Sequence, residues 1–161
     1  MAKRTSQWSS LKGRAAGYRS GLEEAVSAQL KELGIPFEYE LHVLKYTVPE
    51  RLAKYTPDFV LPNGIVVETK GRFVTADRTK HRLIKEQFPD LDIRFVFSNP
   101  NSTIGKKSKT TYAMWCDRLG IQYAKARIPV EWTKEKPSKS RLAAAIAVLD
   151  WTPPNKTLPS F

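Results

Sequence analysis

One cysteine, Cys116, stands in a chain of 161 residues, so no disulfide can close within a single copy. Its neighbours Tyr112 and Trp115 suit a buried thiol on a helix. Only two histidines accompany it, which speaks against a zinc site built from nitrogen and sulfur ligands. No stretch approaches the roughly 20 apolar residues that cross a bilayer. The N-terminus is basic, but no apolar segment follows it, so it does not read as a signal peptide. Acids are the scarcer charge, 16 against 27 lysines and arginines, a net charge of +11. These shortages describe a soluble protein of a reducing compartment with a polyanionic partner. Nucleic acid is favoured over a membrane surface.

What the chain does contain is enough apolar material, 41% with 11% aromatic, for one domain with a real core. Residues 1–19 carry Lys3, Arg4, Lys12, Arg14 and Arg19 and no acid. They read as a flexible basic arm or a solvated tail. Ser20 then caps a helix in which Glu23 has capping-box spacing. At about 100° per residue, Leu22, Val26, Leu30 and Leu33 form one stripe, with Glu23 at its edge. From this helix alone Glu23 is best read as the capping acid, although its position also lets it reach inward. A half-buried strand follows, with Phe37, Tyr39, Leu41 and Val43 alternating with polar residues and His42 on the polar face. Residues 47–56 have little period, and Pro49 disfavours a central strand. They read as an unusually long connector.

Residues 57–70 form an apolar hairpin that carries two acids and a lysine. A two-residue Asn63-Gly64 loop would put Asp58 and Glu68 on opposite faces. A three-residue Pro62-Asn63-Gly64 loop pairs Leu61 with Ile65 and Asp58 with Glu68. Proline suits the first turn position and glycine the left-handed one, so the three-residue loop is expected. Asp58, Glu68 and Lys70 then share a face with Val60 and Val66.

Beyond it the pattern predicts a helix capped by Thr75 or Asp77 with Leu83, Ile84 and Phe88 inward, then a strand from Leu91 to Phe97. A polar loop over 98–110 follows, then a helix opened by Thr110 or Thr111 and closed by Gly120, and a short strand near Ile121–Ala124. A less regular region begins at Glu131-Trp132. The last helix, Arg141 to Leu149, has its stripe at Leu142, Ile146 and Leu149, and a proline-rich tail completes the chain. This order predicts an α/β domain with a mixed sheet flanked by helices.

Two carboxylates facing each other across a hairpin repel and call for a positive partner. Lys70 is one candidate, which would make this a salt-bridged surface hairpin. A hard divalent cation is the other: Asp58, Glu68 and the Thr69 carbonyl would supply part of its shell, and Glu23 would complete it or hold a second ion. Two such ions can clamp an in-line phosphoryl displacement. Lys70 would then neutralise phosphate, or act on the attacking water if its pKa is depressed.

The segments Tyr55-Thr56-Pro57-Asp58-Phe59, Leu61-Pro62-Asn63-Gly64-Ile65 and Val67-Glu68-Thr69-Lys70-Gly71 resemble endonuclease I of the T-seven-like bacteriophages, a Holliday-junction resolvase family. Arg19-Ser20-Gly21-Leu22-Glu23, Phe37-Glu38-Tyr39-Glu40, Asp77-Arg78 with Lys80-His81, and Ile128-Pro129 with Glu131-Trp132 are also similar. The resemblance spans about residues 14 to 136. It implies a restriction-endonuclease-like PD-(D/E)xK fold over 20–136 and an intertwined, domain-swapped homodimer with a bridge near 47–56. It further implies a catalytic set of Glu23, Asp58, Glu68 and Lys70 that uses Mg²⁺ or Mn²⁺, two ions per site. Each site would take its helix acid from one subunit and the remainder from the other. The implied activity is paired cleavage of four-way junctions and branched DNA in the cytoplasm of an infected bacterium. Residues 137–161 depart from the family pattern.

DNA phosphates would be met by Arg14, Arg19 and Ser20 at the N-terminal side, by Arg72, Arg78, Lys80 and His81 near the hairpin, and by Lys106, Lys107 and Lys109 on the loop. No base-reading motif is evident, which favours recognition by shape. A general or restriction-type nuclease of the same fold and a non-catalytic basic DNA-binding protein are the alternatives.

Overall fold

The computed structural model describes residues 20–48 and 50–154. The basic arm 1–19, with Arg14 and Arg19, lies outside the described residues, as do positions 155–161. The elements run α1 (Gly21–Glu32), β1 (Glu38–Tyr39), β2 (Leu44–Val48), β3 (Arg51–Tyr55), β4 (Phe59–Val60), β5 (Val66–Lys70), α2 (Thr75–Gln87), β6 (Ile93–Phe97), α3 (Tyr112–Leu119), β7 (Tyr123–Lys125), α4 (Val130–Lys134) and α5 (Lys139–Leu149). Five strands form a mixed sheet in the order β1-β4-β5-β6-β7. Its first two pairings are antiparallel and its last two parallel. The predicted mixed sheet flanked by helices is therefore present. Among the described residues no helix is long and apolar enough to cross a membrane.

The two faces of the hairpin feed two cores. Phe59, Leu61, Ile65 and Val67 pack with Val26 and Leu30 of α1 and Trp132 of α4. Val60 and Val66 pack with Leu83 and Ile84 of α2 and with Leu142, Ala145 and Leu149 of α5. Because β6 is covered on both faces, its alternation disappears. Arg94 is consequently buried, paired with Asp92 at 2.8 Å and Glu135 at 2.7 Å and lying over the Trp132 ring. A third cluster joins Phe73, Phe95 and Phe97 to Tyr112 and Cys116 of α3. The expected buried thiol is there, its pKa pushed up to about 12 by burial.

Four local expectations change. The strand predicted over 37–44 stops at Tyr39, because Glu40 adopts φ 44° and turns the chain off the sheet edge. The alternation then inverts: His42 is buried and paired with Glu38, while Leu41 and Val43 are exposed. Residues 47–56 are no bare connector, since β2 and β3 form a separate antiparallel hairpin whose register ends at Val48 opposite Arg51. Glu50 in its turn stands at φ 77°. The N-cap of α2 is Val74, with Asp77 reaching back to accept its N–H at 3.3 Å. In α5, Ala145 replaces Ile146 in the buried stripe, leaving Ile146 exposed. Elsewhere Thr111 caps α3 and Gly120, at φ 65°, closes it as predicted.

Candidate active site

The hairpin has the register of the three-residue loop. Phe59 faces Val67, Val60 faces Val66, and Leu61 N donates to Ile65 O at 2.8 Å. Gly64 takes φ 85°, the conformation that admits glycine most easily. The pairing starts at Phe59; just before it the Asp58 carboxylate turns to Thr69, near enough to Glu68 to feel its charge. Asn63 does more than turn the chain: its amide donates to the carbonyls of Trp132 at 2.7 Å and Glu135 at 3.0 Å, and Arg141 Nε donates to its carbonyl at 3.0 Å. The loop is thereby fixed from α4 and α5.

Helix α1 brings Glu23 to the same place. Ser20 accepts the Glu23 N–H at 3.2 Å. The Glu23 side chain points inward, 7% exposed, and accepts from the Tyr39 hydroxyl. Reciprocal bonds between the Gln29 amide and the Ile128 backbone, at 2.7 and 2.8 Å, hold the helix in position. Asp58, also 7% exposed, accepts two bonds on Oδ2, from Thr69 N at 2.8 Å and Thr69 Oγ1 at 2.7 Å. One carboxylate oxygen each from Glu23, Glu40 and Asp58 lie within 4.8 Å of one another.

Glu40 was not anticipated. In an extended strand it would share the face of Glu38. The turn at φ 44° redirects it, with its N–H donating to the Asp58 carbonyl at 3.1 Å. The signal available in sequence was weak: two acids flanking Tyr39 on a strand meant to be half buried.

Glu68, 3% exposed, accepts the Tyr55 hydroxyl at 2.6 Å and lies 3.1 Å from Lys70 Nζ and 3.8 Å from His81 Nε2. The Lys70–Glu68 pair exists, but in the interior and not on an open surface. The two opposed acids are driven apart electrostatically. Asp58 is raised to about 8 by burial, by the Glu68 charge and, less, by Glu23, against the Thr69 bonds. Burial alone would raise Glu68 too. His81, Lys70 and the Tyr55 hydroxyl outweigh it and hold Glu68 well below the usual carboxylate range. Burial would lower Lys70, but Glu68 and Asp77 raise it, so its ammonium stays charged.

This donor set fits a hard divalent cation. It offers only carboxylate oxygens, three of them converging, and Asp58 is difficult to ionise without a positive partner. Glu68 and Thr69, expected beside Asp58 as ligands, flank the triad. Glu68 is engaged by Tyr55 and Lys70, and Thr69 orders Asp58.

The cations proposed for DNA occupy varied settings. Arg72, Lys106, Lys107 and Lys109 are exposed, as is Ser20. The 98–111 loop leaves β6 beside the end of β5, where Ser98 N donates to Lys70 O at 3.2 Å. Arg78 is drawn back onto Phe73 O and Thr75 Oγ1. Lys80 lies 3.8 Å from Asp77 and over the Tyr55 ring. His81 is 2% exposed and faces Glu68, so in this structure it presents nothing to a phosphate.

A family profile described as phage endonuclease I matches residues 1–148. The chain is 54% identical over 123 residues to endodeoxyribonuclease 1 of Enterobacteria phage T3, covering 76% of this chain and 80% of that protein. It is 51% identical over 122 residues to endonuclease I of Escherichia phage T7, covering 76% and 82% respectively. A buried oxygen-ligand site on a hairpin, in a basic chain half identical to these enzymes, leaves one assignment: the chain belongs to the phage endonuclease I family.

Proposed function

We propose that this endonuclease is structure-selective and resolves four-way (Holliday) junctions and other branched DNA by paired, metal-dependent phosphodiester hydrolysis. The observation that carries this reading is the acidic cluster of Glu23, Glu40 and Asp58 beside the Glu68–Lys70 pair of β5. Glu23, Asp58 and Glu40 would hold Mg²⁺ or Mn²⁺, with Glu68 and the Thr69 carbonyl available to a second ion. Such an ion supplies Lewis acidity toward the scissile phosphate and acidifies water. Thr69 fixes the Asp58 carboxylate, and Tyr55 fixes that of Glu68. Lys70, kept charged, neutralises the phosphate and does not act as the base. Arg72 and the loop lysines 106, 107 and 109 supply sequence-independent phosphate contacts. Arg14, Arg19 and Ser20 would extend them, and the site of action would be the cytoplasm of an infected bacterium.

The proposed unit is an intertwined homodimer in which the β2–β3 segment opens into a bridge. A two-residue turn holding Glu50 at φ 77° supports this, because short strained hinge loops favour exchange. Leu52, 77% exposed, together with Leu41 and Val43 would gain cover. One chain already brings Glu23 to Asp58; exchange would make the same contact between subunits.

The test is cleavage of a four-way junction with and without Mg²⁺, with cuts mapped. Asp58→Asn and Glu68→Gln proteins should bind the junction and leave it intact, and full cleavage by either would remove that acid from the set. Equal cleavage of linear duplex would favour a general or restriction-type nuclease. Absence of any metal-dependent nicking would favour a binding protein.

A further inference from the structure

Helix α2 faces the site with two side chains one turn apart. Asp77 lies 3.5 Å from Lys70 Nζ, and His81 lies 3.8 Å from Glu68 Oε1. Lys70 and Glu68 are themselves two residues apart on one face of β5, so the helix repeat of α2 matches the strand repeat of β5. His81 packs edge-on between Tyr55, at 5.1 Å, and Phe95, at 4.7 Å. Neither of its ring nitrogens has a hydrogen-bond partner, although the ring is buried. A phenyl ring would fill that slot without burying unpaired polar atoms. Packing therefore does not account for a histidine there, whereas the Glu68 carboxylate beside it does. Asp77 likewise does more than cap its helix: besides the Val74 N–H it meets Lys70 and, at 3.8 Å, Lys80.

We propose that Asp77 and His81 are positioning residues, which orient Lys70 and Glu68 respectively for hydrolysis; this rests on the catalytic reading of those two β5 side chains. Asp77 gives the Lys70 ammonium a second carboxylate at 3.5 Å besides Glu68 at 3.1 Å, and His81 faces Glu68 Oε1, the oxygen that Lys70 also meets, while Tyr55 holds Oε2.

The test uses the full chain and single-turnover cleavage of a four-way junction in Mg²⁺, with junction affinity measured in Ca²⁺ and thermal midpoints measured alongside. His81→Phe should keep or raise the midpoint and leave junction affinity unchanged, yet slow cleavage about 10- to 100-fold. Asp77→Ser retains an acceptor for Val74 N but no charge, and should slow cleavage similarly. Asp77→Glu should restore most of the rate. Wild-type cleavage by His81→Phe removes His81 from the set, and wild-type cleavage by Asp77→Ser removes Asp77. Equal loss of rate in Asp77→Ser and Asp77→Glu would reduce Asp77 to a helix cap. If His81→Phe does not fold, His81→Gln replaces it, and wild-type cleavage by that amide would remove the histidine. Lys70→Ala and Glu68→Gln separate the two layers. If both cleave at the wild-type rate, the catalytic reading falls and this proposal with it. If both are inactive while the α2 variants are wild type, only this proposal falls.

Discussion

At the scale of single residues, Asp58 is the acid whose charged form burial and the Glu68 charge disfavour. Its folded pKa of about 8 stands above the ordinary 3.8. Below pH 4 the carboxyl is protonated in folded and unfolded chains alike. As pH rises from about 4 to 8, the unfolded chain ionises and the folded one resists, so stability is lost across that window. Asparagine does not titrate. The thermal midpoint of Asp58→Asn should therefore exceed that of the parent by a margin that grows from pH 4 to 8 and then levels. The same carboxyl must give up its proton when a cation binds. Calorimetry of Mg²⁺ binding near pH 7, in buffers of different ionisation enthalpy, should register proton release in the parent and none in Asp58→Asn. A margin flat across pH, or equal proton release in both proteins, would contradict the assignment.

At the scale of elements, the hairpin depends on what grips its loop. A Cβ placed on Gly64 would lie 3.3 Å from Leu142 Cδ2 and 3.4 Å from Arg141 Cγ, at a backbone φ of 85°. Gly64→Ala should cost about 1–3 kcal/mol of stability in urea titration, from left-handed strain and the displaced α5 contacts. An unchanged midpoint would mean that α5 yields freely. This hairpin was legible in sequence because its information is local: Pro62 and Gly64 specify the loop, and the loop fixes the register. Glu23 was half legible, since the α1 stripe placed it at an edge but could not say what lay beyond that edge. Glu40, Asn63 and Arg94 were not legible as found. Each owes its role to a partner distant in sequence or to a backbone angle that ordinary residues avoid. The β2–β3 hairpin escaped for a related reason, because Pro49 argued against a central strand while the actual pairing is a separate two-stranded ribbon. The α5 stripe slipped from Ile146 to Ala145 because the face that meets the hairpin core runs Leu142, Ala145, Leu149, and this turns Ile146 outward.

At the scale of the whole molecule, ownership of the site and the hold on DNA are the measurable properties. Mixing Glu23→Ala with Asp58→Ala chains should restore cleavage of one junction arm pair if sites are shared, because one site in each mixed dimer collects both lesions and the other is intact. A mixture as inactive as either parent, after exchange is confirmed, would contradict shared sites. Replacing Lys106, Lys107 and Lys109 by alanine should weaken junction binding and flatten its dependence on log[salt], by roughly 0.9 per lost phosphate contact on duplex arms. An unchanged slope would place that loop away from the DNA. The clasp of Arg141 and Leu142 on the hairpin loop has a temporal side as well. A chain halted at residue 136, whether still in synthesis or clipped, holds every candidate ligand from Glu23 to Lys70 and still lacks one wall of the hairpin that aims them. Truncation there should therefore loosen the hairpin loop while the candidate ligands themselves remain in the chain.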